Sequence, residues 1–89
     1  MNETYKRAVE LLEADIDDEL VALEPKLGEC FGFNPVAKDV WRKLAQPQSF
    51  DQLRSELLAD YDVSDEQCTA ELRGLLQEME QAKLIARIN

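Results

Sequence analysis

The sequence predicts an α+β domain, with strands confined to its first third and three amphipathic helices behind them. Three observations carry this. Apolar residues recur at helical spacing three times after Asn34, and each run is opened by a capping residue. Ahead of Asn34, a loop of turn-forming residues, Glu24-Pro25-Lys26-Leu27-Gly28, divides two short apolar stretches. The 89 residues suffice for one small domain and not for two. Such a chain buries roughly two thirds or less of its unfolded surface, so it folds alone with little margin.

Taken in order, the first third permits two readings. Val9, Leu12, Ile16, Leu20 and Leu23 fit a helical stripe. Leu12, Ala14 and Ile16 also alternate with charged residues, and Leu20 and Ala22 alternate with Val21 and Leu23, as strands do. Glu29-Cys30-Phe31-Gly32-Phe33 is too short for a helix before Asn34-Pro35 and reads as a strand. A strand needs a partner, most cheaply the segment before the loop. The strand pair stands slightly ahead of a long N-terminal helix.

The helices are plainer. Asn34 accepts orphan N–H groups and Pro35 suits a first turn, so the pair opens a helix. Ala37, Val40, Trp41 and Leu44 then give it one buried stripe, and Pro47 stops it. Ser49 caps the second, striped by Phe50, Leu53, Leu57, Leu58 and Tyr61. After the link Asp62-Val63, Ser64-Asp65-Glu66-Gln67 matches a capping box. Cys68, Leu72, Leu75, Leu76 and Met79 share a face of the third helix, and Gly74 lies inside it at a cost of about 1 kcal/mol relative to Ala.

Composition narrows the function. Ten Lys and Arg stand against 19 Asp and Glu, a net charge of −9. That field repels nucleic acid and anionic membrane and favours cationic partners. Residues 1–33 hold nine of the acids against Lys6, Arg7 and Lys26, which is either a solvated surface or a guide for a basic peptide. There is no histidine, so imidazole bases, Ser–His or Cys–His pairs and His metal ligands are all excluded. Cys30 and Cys68 lack CxxC spacing, and the cluster Asp15, Asp17, Asp18, Glu19 lacks the Gly and distal Glu of a calcium loop. No metal or cofactor is implied. No apolar run approaches the roughly 18 residues of a membrane span and no signal sequence opens the chain, which reads as cytoplasmic with reduced thiols. Binding is expected rather than catalysis.

One ordered set of signals is specific. It runs Asp18-Glu19-Leu20-Val21-Ala22-Leu23, a loop ending in Gly28, then Cys30-Phe31-Gly32-Phe33-Asn34, then Ala37, Val40-Trp41 and Leu44. Tyr61-Asp62-Val63 follows at the end of one helix and Leu84-Ile85 at the end of the last. Over roughly residues 12–86 this resembles the PqqD family, small peptide chaperones also called recognition elements of ribosomally made, modified peptides. Three positions depart from the family pattern: Phe33 replaces a Leu, Lys83 stands where a Gly is often found, and Gln46-Pro47-Gln48 replaces the Asp-Gly of quinone-pathway members. The last departure points towards a lasso-peptide-type or another modified-peptide pathway.

The resemblance implies a winged-helix-like fold, a three-stranded antiparallel sheet followed by three helices, over residues 12–89. Residues 1–11 are then expected as a flexible segment ahead of it. It also implies a function: a non-catalytic chaperone that holds the leader of a precursor peptide as a strand added beside the third strand. A separate maturation enzyme (protease, cyclase or radical enzyme) would receive the peptide. On this chain the acceptor backbone is Glu29, Cys30, Phe31, Gly32 and Phe33, with Gly32 allowing close approach. The wall falls to Cys68, Leu72, Arg73, Leu75 and Leu76 of the third helix. Leu72, Leu75 and Leu76 are core residues in the plainer reading, and Phe31 and Phe33 pack on Trp41. Arg73, one position off the stripe, is the candidate contact for an acidic leader residue, or else a solvated surface Arg. The rival is a winged-helix adaptor with an unrelated client; a DNA binder is opposed by the charge and by a third helix with no basic stripe.

Overall fold

The computed structural model describes residues 3–88. Its elements run β1 (Thr4–Arg7), β2 (Leu12–Ile16), β3 (Glu19–Glu24), β4 (Glu29–Phe33), α1 (Pro35–Lys43), β5 (Gln48–Ser49), α2 (Phe50–Asp60), α3 (Asp65–Gln81) and β6 (Ile85–Arg87). The fold contains the expected three-stranded antiparallel sheet, in the order β2-β3-β4, and the three helices. The first third is therefore strand. Its two turns supply the reason: Asp17 sits in the left-handed region at φ 56°, and Gly28 at φ 71°, where a continuing helix is impossible.

Register decides which side chains face the helices. Leu20 stands opposite Phe33 and Ala22 opposite Phe31, and Leu20, Ala22 and Phe33 are buried with Ala37, Val40 and Trp41 of α1. The helical stripes behave as read: Leu44, Phe50, Leu53, Leu57, Cys68, Leu72, Leu76 and Met79 complete the core. Asn34 caps α1 through its Oδ1, which accepts from Ala37 N at 2.8 Å. Ser49 and Gln52 form a complete capping box on α2. At α3 only half of the expected box forms: Ser64 Oγ accepts from Gln67 N, while the Gln67 side-chain amide donates to Glu71. The Tyr61 hydroxyl donates to Asp39 and so ties the end of α2 to α1; this bond is the main cause that pushes the phenol up to about 12.

The polarity of β2 is inverted. Its acids, Glu13 and Asp15, face α1: Trp41 Nε1 donates to Glu13 at 2.9 Å, and Asp15 pairs with Lys38 at 2.9 Å and Arg42 at 2.7 Å. Hydrogen bonds from Lys38 and then Arg42 hold the Asp15 carboxyl below its ordinary 3.8. A depressed carboxylate stabilises the fold above its unfolded value and loses that contribution as pH falls through the folded one. Asp15→Asn should therefore lower the melting temperature slightly at pH 7, and the gap between the two proteins should close below pH 3.8. A gap that persists in acid would show that the ion pairs are not its source.

A second sheet, β5-β1-β6, corrects two expectations. Residues 4–7, read as a flexible segment ahead of the domain, form its central strand, with Tyr5 in the core. The flexibility expected at residues 1 and 2 lies outside the described residues. Leu84-Ile85, read as the end of the last helix, instead follows it, and both residues are buried where the chain turns into β6. Arg7 donates through Nε and Nη2 to the Trp41 carbonyl near the end of α1, and its guanidinium lies 4.2 Å over the indole.

The helix stops because of Lys83. Leu84 N donates to Met79 O and Lys83 N to Glu80 O, both at 2.9 Å, a Schellman ending that requires a left-handed residue after the cap. Lys83 takes that conformation at φ 63°. Lys83 thus holds a conformation that glycine adopts without steric cost. Lys83→Gly should relieve the strain and raise stability by about 0.5–1 kcal/mol, or several degrees in a thermal melt. An unchanged or lower melting temperature would contradict this.

Candidate functional site

Among the described residues β4 is an edge: it pairs with β3, and no strand pairs with its other side. Its outer row of N–H and C=O groups is therefore open to a further strand. Beside that edge runs α3, and between them lie two adjoining hollows. One, of about 230 Å³, is lined by Phe31, Gly32, Phe33 and Asn34 of the strand side and by Leu75, Glu78 and Met79 of α3. The other, of about 350 Å³, runs on past Asn34 and Val36 along Ala70, Glu71, Gly74, Leu75 and Glu78. Leu75, Glu78 and Asn34 belong to both. A cleft of about 590 Å³ lies along residues 7–13, but its walls come from one segment and no side chains converge on it from elsewhere.

The segment expected as the acceptor, Glu29–Phe33, forms β4. Phe33 is buried, its ring 5.8 Å from that of Trp41 and tilted by 43°. Phe31 is half-buried against the core and forms part of the groove. Glu29, Cys30 and Gly32 are exposed. Cys30 and Gly32 stand opposite Leu23 and Val21 on the sheet face away from the helices.

Most of the residues expected as the wall do not line these two hollows. Cys68, Leu72 and Leu76 retain 4%, 2% and 1% of their exposure and belong to the core. Burial also raises the Cys68 thiol, which makes it an inert packing group. Arg73 lies away from the groove, with its guanidinium 4.6 Å over the Phe50 ring. Of the five, Leu75 alone lines the groove, half-buried at the join of the two hollows. The face that does so consists of Glu71, Leu75, Glu78 and Ala82, spaced four, three and four apart, with Ala70 and Gly74 beside it. That spacing was available in the sequence.

Gly74 is informative. A Cβ built there meets nothing within 4 Å, so no neighbour inside the chain requires a glycine. The helix therefore carries a destabilising residue of about 1 kcal/mol relative to Ala on the wall of its groove. Gly32, across on β4, likewise has open space at its Cβ. Electrostatically the rim is acidic: Glu71 and Glu78 are exposed, and neither forms an ion pair among the described residues.

Residues 19–85, from the start of β3 to the start of β6, match the family described as Coenzyme PQQ synthesis protein D (PqqD). The chain belongs to the PqqD family. The matched span contains both walls of the groove, whereas β1 and β2 lie ahead of it. A solved structure of TbiB1 in complex with the TbiA(beta) leader peptide shares the fold of this PqqD-family chain with a TM-score of 0.76. The two are 25% identical over 90% of this chain and 93% of that one. No curated protein matches the sequence. No helix among the described residues is long and apolar enough to cross a membrane.

Proposed function

We propose that this chain captures the leader of a ribosomal precursor peptide and presents the remainder to a separate maturation enzyme, supplying no chemistry of its own. The observation that carries the reading is the unpaired edge of β4 facing an apolar groove whose helical wall keeps a glycine that packing does not need. Membership of the PqqD family and the likeness to TbiB1 bound to a leader peptide support it. The leader adds as a fourth strand: main-chain bonds to Glu29–Phe33 give affinity, and alternate side chains enter the groove at Phe31 and Leu75. Gly74 and Gly32 leave room for the incoming chain. The acidic rim at Glu71 and Glu78 selects a leader with Lys or Arg beside its apolar anchor, which reverses the acidic contact expected of Arg73. Holding the leader keeps the attached core segment at high effective concentration near an enzyme in the same cytoplasmic complex.

The test is a titration of the amide NMR spectrum with a synthetic leader from a precursor encoded beside this chain. Saturable shifts on residues 29–33 and along 70–78 are expected. A folded spectrum that does not respond refutes capture, and shifts confined to other elements refute the groove.

A further inference from the structure

The face of the main sheet turned away from the helices is apolar. Leu12, Ala14 and Ile16 of β2 lie on it with Val21 and Leu23 of β3 and Cys30 of β4, as the register requires. Leu12 is 61% exposed, Ile16 55% and Val21 40%, so aliphatic surface on two adjacent strands faces solvent with no element of the described chain above it. The fold does not place it there by default. A slip of β2 by one residue would turn Leu12, Ala14 and Ile16 towards α1 and its acids to water. The opposite register is held by the bonds from Trp41 to Glu13 and from Lys38 and Arg42 to Asp15.

We propose that this outer sheet face is the docking surface for the maturation enzyme, whose contact has an apolar centre and a basic flank. The proposal rests on the capture reading given above. Charge identifies the partner. Asp17, Asp18 and Glu19 bound the face at the β2–β3 turn, and none forms an ion pair among the described residues. A second copy would bring a second net charge of −9 to the contact, so self-pairing is opposed where a cationic partner is attracted. Position gives the surface a further property. A strand added beside β4 extends the same sheet, so outward side chains of the bound leader continue the patch beyond Cys30 and Gly32. The enzyme then touches chain and leader together, and each strengthens the binding of the other by the same factor.

The test uses the full chain and its Leu12→Thr/Ile16→Thr variant, in which threonine keeps strand preference while removing aliphatic surface. Leader affinity is read by fluorescence anisotropy, and binding of the purified modification enzyme encoded beside the chain is read with and without saturating leader. The double variant should bind leader within about twofold of the parent and the enzyme at least about tenfold more weakly. Leader should strengthen enzyme binding to the parent by about tenfold. Equal enzyme binding by parent and variant, or none by the parent, overturns the proposal. So does a parent dimer, seen by sedimentation, that the variant abolishes. A parent that binds no leader defeats the capture reading instead, and the two failures are thereby separate.

Discussion

Leu75→Asp is expected to remain folded and to lose leader affinity by about 30-fold or more, the scale of a central contact residue. Leu75 sits where the two hollows of the groove meet, and it is only partly buried. The free protein therefore tolerates a carboxylate there. The complex does not, because an apolar leader side chain seated at this point would strip the new charge of water without giving it a partner. Leu72→Asp is the instructive contrast. Leu72 is a core residue, so its charge would be buried in the free chain itself and the domain would unfold. Lost binding in that variant would say nothing of the groove. Gly74→Ala separates the two effects further: it should stabilise α3 by up to about 1 kcal/mol while narrowing the groove and weakening the leader. Anisotropy titrations paired with thermal melts read both quantities. A folded Leu75→Asp protein with unchanged affinity would remove α3 from the site.

The second large effect concerns stability. Trp41→Ala should cost about 3–5 kcal/mol, against a total of roughly 4–13 kcal/mol for a domain of this length. Trp41 has no exposed surface, stacks obliquely on Phe33, carries the Arg7 guanidinium on its face and donates to Glu13. Its removal therefore opens a cavity and releases the indole contacts with Arg7 of β1 and Glu13 of β2. Trp41→Phe keeps most of the apolar contact and forfeits the indole N–H, so its cost should be nearer 1 kcal/mol. Urea unfolding of the three proteins gives the order. If alanine and phenylalanine prove equivalent, the ring's volume is not what the fold depends on.

The three helices were legible because periodicity and capping agree at each of them, from Asn34 to Ser49 to Ser64. The first third was ambiguous for a reason the structure makes physical. Leu12 and Ile16 face solvent, so they obey no core-facing rule, and their spacing fits helix and strand equally. The small second sheet could not be read at all. Thr4–Arg7, Gln48–Ser49 and Ile85–Arg87 become strands only by pairing across the chain, Tyr5 with Gln48 and Arg87 among them. Nothing local to four, two or three residues announces such pairing.

The elements that frame the candidate groove were legible in part. The strand Glu29–Phe33 followed from its shortness and its position before Asn34-Pro35, while its part as acceptor came from the family resemblance. The resemblance placed the wall on the third helix, at Cys68, Leu72, Arg73, Leu75 and Leu76, and periodicity reveals only which face of that helix is core. It does not reveal which neighbouring face a sheet edge leaves uncovered, and here that is the row of Glu71, Leu75 and Glu78. Arg73 lies off that row, with its guanidinium over the Phe50 ring.

The pairing of β1 with β6 has an architectural consequence. Ile88 N donates to Thr4 O at 2.9 Å, so the chain enters and leaves the domain through two antiparallel neighbours at one point of its surface. Adjacent strands lie about 5 Å apart. Two positions of a host protein separated by no more than a hairpin turn could therefore be spliced to residues 4 and 88 without stretching either partner. This geometry would permit the domain to be spliced into a larger polypeptide through two covalent junctions, which would give it a defined orientation that a single flexible tether does not.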